Sequence, residues 1–183
     1  GLLVVRALHE YIWPHGLNQC ERRGVGEDGD EIHILQSRQH KRTGLDGEII
    51  DVYRHLNTQL QAKLPALFSL RPKTPLDLRL EPELSRATPS DHYTPPAIDG
   101  SRPGVFWTVV NDPTQYGSTG MVTLFLHEGQ PGHHFHIALM QELGLPNFRK
   151  FGGNNAFTEG WALYAETLGK EMGMFDKPED YFG

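Results

Sequence analysis

The constraint that most limits how this chain can fold is a helix that cannot continue. Leu124-Phe125-Leu126 leads into His127-Glu128-Gly129-Gln130-Pro131-Gly132-His133-His134-Phe135-His136, so four histidines and one glutamate follow an apolar helical segment that Pro131-Gly132 interrupts. Proline lacks the N–H that an inner helical turn needs and crowds the turn before it, while glycine accepts backbone dihedrals closed to other residues. On an unbroken helix His133 would point away from His127, and His134 would share its side but lie about 10 Å further along the axis. The break allows extra residues to bulge out, so that a later histidine can return towards His127. The apolar lead-in would hold the group at the edge of a packed core.

That arrangement suits a metal. Zinc takes imidazole nitrogen and carboxylate oxygen at about 2.0 to 2.2 Å, and catalytic sites leave one position for water. A His-Glu pair supplies one ligand and one general base, because the metal lowers the pKa of its water towards about 7 and the carboxylate takes the proton. His127 and Glu128 fit these roles. The familiar signature is His-Glu-x-x-His on one continuous helix, from which this sequence departs at Pro131. The bland alternative is a set of solvated histidines beside a helix break.

A third ligand is available downstream, in Asn155-Ala156-Phe157-Thr158-Glu159-Gly160-Trp161-Ala162-Leu163-Tyr164-Ala165-Glu166. Phe157, Trp161, Leu163, Tyr164 and Leu168 cover more than one face, which predicts a buried helix. An acid in its first turn, Glu159, is unexpected there unless paired or bound to a cation. Gly160 beside it would let a neighbouring helix approach closely. The competing reading is that Glu159 only favours the positive end of the helix.

With these residues in view, the run from about Leu64 to Gly183 resembles the bacterial domain-of-unknown-function family 885. Its members carry His-Glu-x-x-Pro-Gly-His-His followed by Glu-Gly-Trp-Ala-Leu-Tyr-Ala-Glu. The resemblance extends to Pro72-x-x-Pro75-Leu76, Tyr93-x-Pro95-Pro96, Asp99-Gly100-Ser101-Arg102-Pro103-Gly104-Val105-Phe106 and Asp180-Tyr181-Phe182-Gly183. It implies a zinc metallopeptidase of the gluzincin type acting on peptides, with two His and one Glu on the metal and Glu128 as base. Laying the gluzincin pattern His-Glu-x-Gly-His over Gly132-His133 assigns the metal to His127, His133 and Glu159. His134 then stands behind the ligands or faces substrate, and Tyr164 and Glu166 are candidates for supporting the site. Family members are longer than this chain, so the resemblance also implies an incomplete core, with segments beyond Gly183 expected to supply part of the cleft. The oxyanion-stabilising group is a candidate for that part. A different class of function stays in play: a catalytically inactive metal- and peptide-binding helical module.

Composition narrows the partners. A formal charge of −6 with no basic stripe excludes a phosphate backbone as the expected partner. A single cysteine, Cys20, excludes an intramolecular disulfide. No apolar run approaches the roughly 20 residues of a membrane span. The chain opens on Gly-Leu-Leu-Val-Val without an initiator Met, which leaves room for an upstream export signal. Compartment therefore stays open between cytoplasm and the bacterial periplasm or cell envelope.

The remaining pattern predicts a mainly α fold with a small β-sheet, divided into a poorly matched arm over 1–45 and a core over 46–183. A short helix is expected over Leu2–Trp13, and the glycines from Gly24 to Gly29 read as a polar turn, since no strand precedes them. Glu31–Lys41 is a candidate helix. Ile49, Val52, Tyr53, Leu56, Leu60 and Leu64 recur at steps of three and four, predicting an amphipathic helix from Asp46 to Leu67 that Pro65 bends or ends. Proline is dense from Arg71 to Gly104, so loops dominate there. Within and after it, Leu76–Leu80 and Gly104–Asn111 read as strands that could pair. By the resemblance, the second is the candidate edge for a peptide backbone to join. Gly117-Ser118-Thr119-Gly120 lacks nucleophile-elbow spacing, which leaves a serine hydrolase unsupported. Ser118 or Thr119 is expected to cap the helix carrying His127. Its continuation should stop at Gly144, with a connection over Asn147–Asn155 and a final helix reaching Met172.

Overall fold

The computed structural model describes residues 31–87, 90–175, 178 and 180, with side chains described from residue 46 onward. The expected helix over Leu2–Trp13, the turn at Gly24–Gly29 and Cys20 lie outside the described residues. The two helical expectations after them join into one helix, α1 (Glu31–Leu67), which passes residues 45 and 46 without interruption. All six apolar positions from Ile49 to Leu64 are buried along it. Pro65 falls in its last turn, so the hydrogen bond it removes and the crowding it causes are confined to the end of the helix.

The Pro-rich stretch contains more order than its composition suggests. Strand β1 (Leu76–Leu80) is followed by β2 (His92–Thr94) and β3 (Gly104–Thr108), in the spatial order β1-β3-β2. β1 and β3 run parallel from Leu76 opposite Gly104 to Leu80 opposite Thr108. β2 lies antiparallel on the other side, with His92 opposite Trp107 and Thr94 opposite Val105. This corrects two expectations. β3 is the middle strand and offers no free edge for a peptide, and it stops at Thr108 instead of Asn111. The stop has a cause: the Val109 N–H donates to the Asp91 carboxylate and so leaves the ladder.

Helix α2 (Met121–Glu128) then crosses the core, burying Met121, Val122, Phe125 and Leu126 against α1 and the sheet. Its start is set by Gly120 at φ 84°, in the left-handed region, and neither Ser118 nor Thr119 caps it. Residues 129–132 form the break, in which the Gln130–Pro131 peptide is cis. Helix α3 (His133–Glu142) follows, then a short α4 (Asn147–Phe151) inside the expected connection, then α5 (Asn155–Glu171). The Asn154 side chain caps α5 by accepting from the Phe157 N–H. Among the described residues no helix is long and apolar enough to cross a membrane.

The architecture is α+β, mainly helical with one small mixed sheet. Its last helix departs from the expected all-round burial. α5 buries only its small-residue face, Ala162, Ala165, Leu168 and Gly169, while Phe157, Leu163 and Tyr164 are 57%, 57% and 53% exposed. The close-approach glycine is likewise not Gly160, around which a Cβ would meet nothing within 4 Å. It is Gly169, where a Cβ would stand 2.6 Å from Leu126 Cδ1.

The break is held from several sides. A Cβ on Gly132 would run into the carbonyl oxygens of Leu126 and His127. Trp161 Nε1 donates to the Pro131 carbonyl at 2.8 Å, and Gln130 Nε2 donates to Asn57 Oδ1 at 3.1 Å. Two substitutions separate these glycines. Gly132→Ala should cost more than about 2 kcal/mol in urea unfolding, because the backbone must move. Gly160→Ala should stabilise by about 0.5 to 1 kcal/mol, the ordinary gain in a helix with room for the methyl. A Gly132→Ala protein as stable as the parent would contradict this packing.

Candidate metal centre

The break places the end of α2 beside the start of α3, and α5 lies across both. One donor atom each from His127, His133 and Glu159 falls within 4.8 Å of the others. Glu159 Oε2 is 3.3 Å from His127 Nε2 and 3.5 Å from His133 Nε2. Two donors about 2.1 Å from one ion at the tetrahedral angle stand about 3.4 Å apart. The donor set, two imidazoles and a carboxylate, and its spacing therefore fit a divalent ion that prefers nitrogen and oxygen. Glu159 sits in the second turn of α5, since the helix begins at Asn155 and no acid lies in its first turn. Attraction to the helix N-terminus thus does not explain it.

Glu166 has a separate task. Its Oε1 lies 2.6 Å from His127 Nδ1. With Nδ1–H donating to that carboxylate, Nε2 keeps its lone pair facing Glu159 and His133, the arrangement by which carboxylates orient metal-ligating imidazoles. Glu159, Ala162, Glu166 and Gly169 recur at steps of three and four, so one face of α5 carries both acids and the small residues that admit α2. The imidazole rings of His127 and His133 meet edge to face, 4.7 Å between centroids. His133 Nδ1 is buried without a hydrogen-bond partner among the described residues. Burial does most to move the His133 pKa down, the neighbouring His127 adds to this, and Glu159 opposes it. A neutral imidazole is the form that binds metal.

Glu128 follows His127 directly and is partly buried. Desolvation raises its pKa most, and the negative charges of Glu159 and Asp91 add to this against His127 and His92. A carboxylate with a raised pKa in such surroundings is suited to carrying a proton.

The other expected residues lie elsewhere. His134 is not among the three donors: it is buried, with Nδ1 3.1 Å from the Tyr93 hydroxyl and Nε2 3.2 Å from the Thr74 carbonyl. Burial pushes its pKa down to about 4, so it works as a neutral strut between α3, β2 and the loop before β1. Gly104 allows that contact, because a Cβ there would be 2.5 Å from the Tyr93 hydroxyl. Tyr164 lies on the opposite face of α5 against Trp161, and His136 packs edge-on against Phe157. Sequence reasoning missed Asp91 and His92, whose charges act on Glu128, and Tyr116, which donates to Asp91. Only the acidic Asp91 inside a Pro-rich stretch hinted at them.

No curated protein matches the chain. A crystal structure described as "the putative lipoprotein from Colwellia psychrerythraea" is similar to it, with a TM-score of 0.71 and 34% identity over 75% of this chain. The match takes up 24% of that protein, so the chain spans about a quarter of the relative's length. The family described as "Bacterial protein of unknown function (DUF885)" matches residues 27–183, from before α1 to the last residue of the sequence. The chain belongs to that family.

Proposed function

We propose that this chain carries the metal site of a gluzincin-like zinc metallopeptidase, which hydrolyses peptide bonds with an activated water. The observation that carries the reading is the convergence of His127, His133 and Glu159 at spacings suited to zinc, with Glu128 next to the first of them. When bound, zinc supplies Lewis acidity and makes water nucleophilic near neutral pH. His127 and His133 would hold it through Nε2, and Glu159 through Oε2. Glu166 fixes the ring of His127 from behind. Glu128 accepts the proton released as water attacks the carbonyl carbon and returns it to the departing amide nitrogen.

The peptide's main chain needs an unpaired strand edge, and among the described residues β2 has one on the side away from β3. Tyr93 of β2 reaches His134, the neighbour of His133, which supports placing the substrate along β2 and not β3. The alternative reading is a site that binds metal and peptide without turning over.

Metal analysis after purification should give one zinc per chain. His133→Ala should lose that zinc on dialysis, whereas His134→Ala should retain it while melting at lower temperature, because only a strut is lost. Zinc lost from the His134 variant alone would reverse the assignment.

Glu128→Gln should leave zinc in place and lower hydrolysis of a mixed peptide library by more than about a hundredfold. Undiminished cleavage by this variant refutes the role given to Glu128. An unmodified zinc-loaded protein that binds peptides but cleaves none selects the alternative reading.

A further inference from the structure

β2 is only three residues long and, among the described residues, pairs along one side, so its ladder alone fixes it weakly. Side chains do more. Asp91, immediately before the strand, receives the Val109 N–H on Oδ1 and the Tyr116 hydroxyl on Oδ2 at 2.6 Å. Because the Tyr116 proton goes to Asp91, the Tyr53 hydroxyl 2.7 Å away donates to Tyr116 in turn. Tyr53 is fully buried in the middle of α1, with its ring against Phe106 and Phe125. The result is a hydrogen-bonded line from the core through the loop before α2 to the start of β2. It ends on a carboxylate, which strengthens both of its bonds.

Three segments converge on this one side chain: the end of β3 through Val109, the loop before α2 through Tyr116, and β2 itself. Each bears on the candidate site. α2 ends in His127-Glu128, and β2 touches α3 through Tyr93 and His134. Asp91 is also among the charges that act on Glu128.

We propose that Asp91 is a positioning residue: its grip on the Val109 amide and the Tyr116 hydroxyl fixes where the free edge of β2 stands relative to Glu128 and the metal donors. The proposal rests on the peptidase reading, since it concerns how a peptide's main chain is presented to that site. Asp91 touches neither metal nor substrate in this role.

The test compares Asp91→Asn and Tyr116→Phe with the unmodified zinc-loaded protein, well below their melting temperatures. Asn keeps the shape but loses the charge and offers an N–H2 where an acceptor is needed. Tyr116→Phe removes one donor only, and so serves if the first variant folds poorly. Amide exchange at Val109 and over His92–Thr94 should quicken about tenfold or more, with α5 unchanged and zinc still at one per chain. On a peptide that the unmodified protein cleaves, KM should rise about tenfold while kcat changes less than about threefold. Unchanged exchange at β2, or faster exchange with KM unaltered, overturns the proposal, as does an equal quickening of every amide including those of α5. Absence of cleavage by the unmodified protein is a distinct result, which removes the peptidase reading and this proposal with it.

Discussion

The close packing of Gly132 onto the carbonyl oxygens of Leu126 and His127 is what the candidate site depends on. It lets the chain leave α2, turn within four residues and begin α3 against the end of the helix it has just left. The new helix is secured at its first turn, where the His134 N–H donates to the Gly129 carbonyl at 3.1 Å and the His136 N–H to Gly132 at 3.0 Å. His133 is thereby returned to His127 despite being six positions later. Any side chain at 132 would separate the two helices and, with them, two of the three donors.

α5 completes the group through a division between its faces. The face with Ala162, Ala165 and Gly169 lies close on α2, and because its side chains are small, the two long carboxylates on the same face reach past them. Glu159 arrives at the donors and Glu166, two turns on, arrives behind His127. The aromatic face does other work. Trp161 holds the Pro131 carbonyl and packs near Phe68, while Phe157 and Tyr164 stand largely exposed. Placing metal donors on rigid helices, with one of them oriented by a further carboxylate, is how sites keep their geometry without the ion.

The sheet is small, yet it decides which surface a peptide could join. With β3 paired on both sides, the open edges among the described residues are those of the outer strands, and β2 is tied to the site by Tyr93 and by the Asp91 line. Tyr53, at the centre of the core, ends that line. Core packing and site geometry are therefore coupled through hydroxyl groups as well as through apolar contacts.

The sequence by itself determined the parts of this protein that follow from local pattern. The steps of three and four from Ile49 to Leu64 predicted α1 and its buried side, the alternation Leu76–Leu80 predicted β1, and the family resemblance of the two motifs pointed to His127, His133 and Glu159, whose donor atoms the fold brings together. Family membership was legible for the same reason, because the motifs are contiguous. What depends on contacts between distant segments had no local signal. Apolar residues on two faces of α5 predicted all-round burial, but composition does not say which face meets a partner, and here Ala162, Ala165, Leu168 and Gly169 do while Phe157, Leu163 and Tyr164 stay exposed. β2 was invisible because three residues between prolines carry no period, and its pairing made β3 a middle strand. The roles of His134 and Asp91 were likewise set by tertiary structure. A buried imidazole becomes a strut when a hydroxyl and a carbonyl flank it, and a carboxylate becomes a latch when an amide and a phenol reach it, and those partners lie 18 to 60 residues away along the chain.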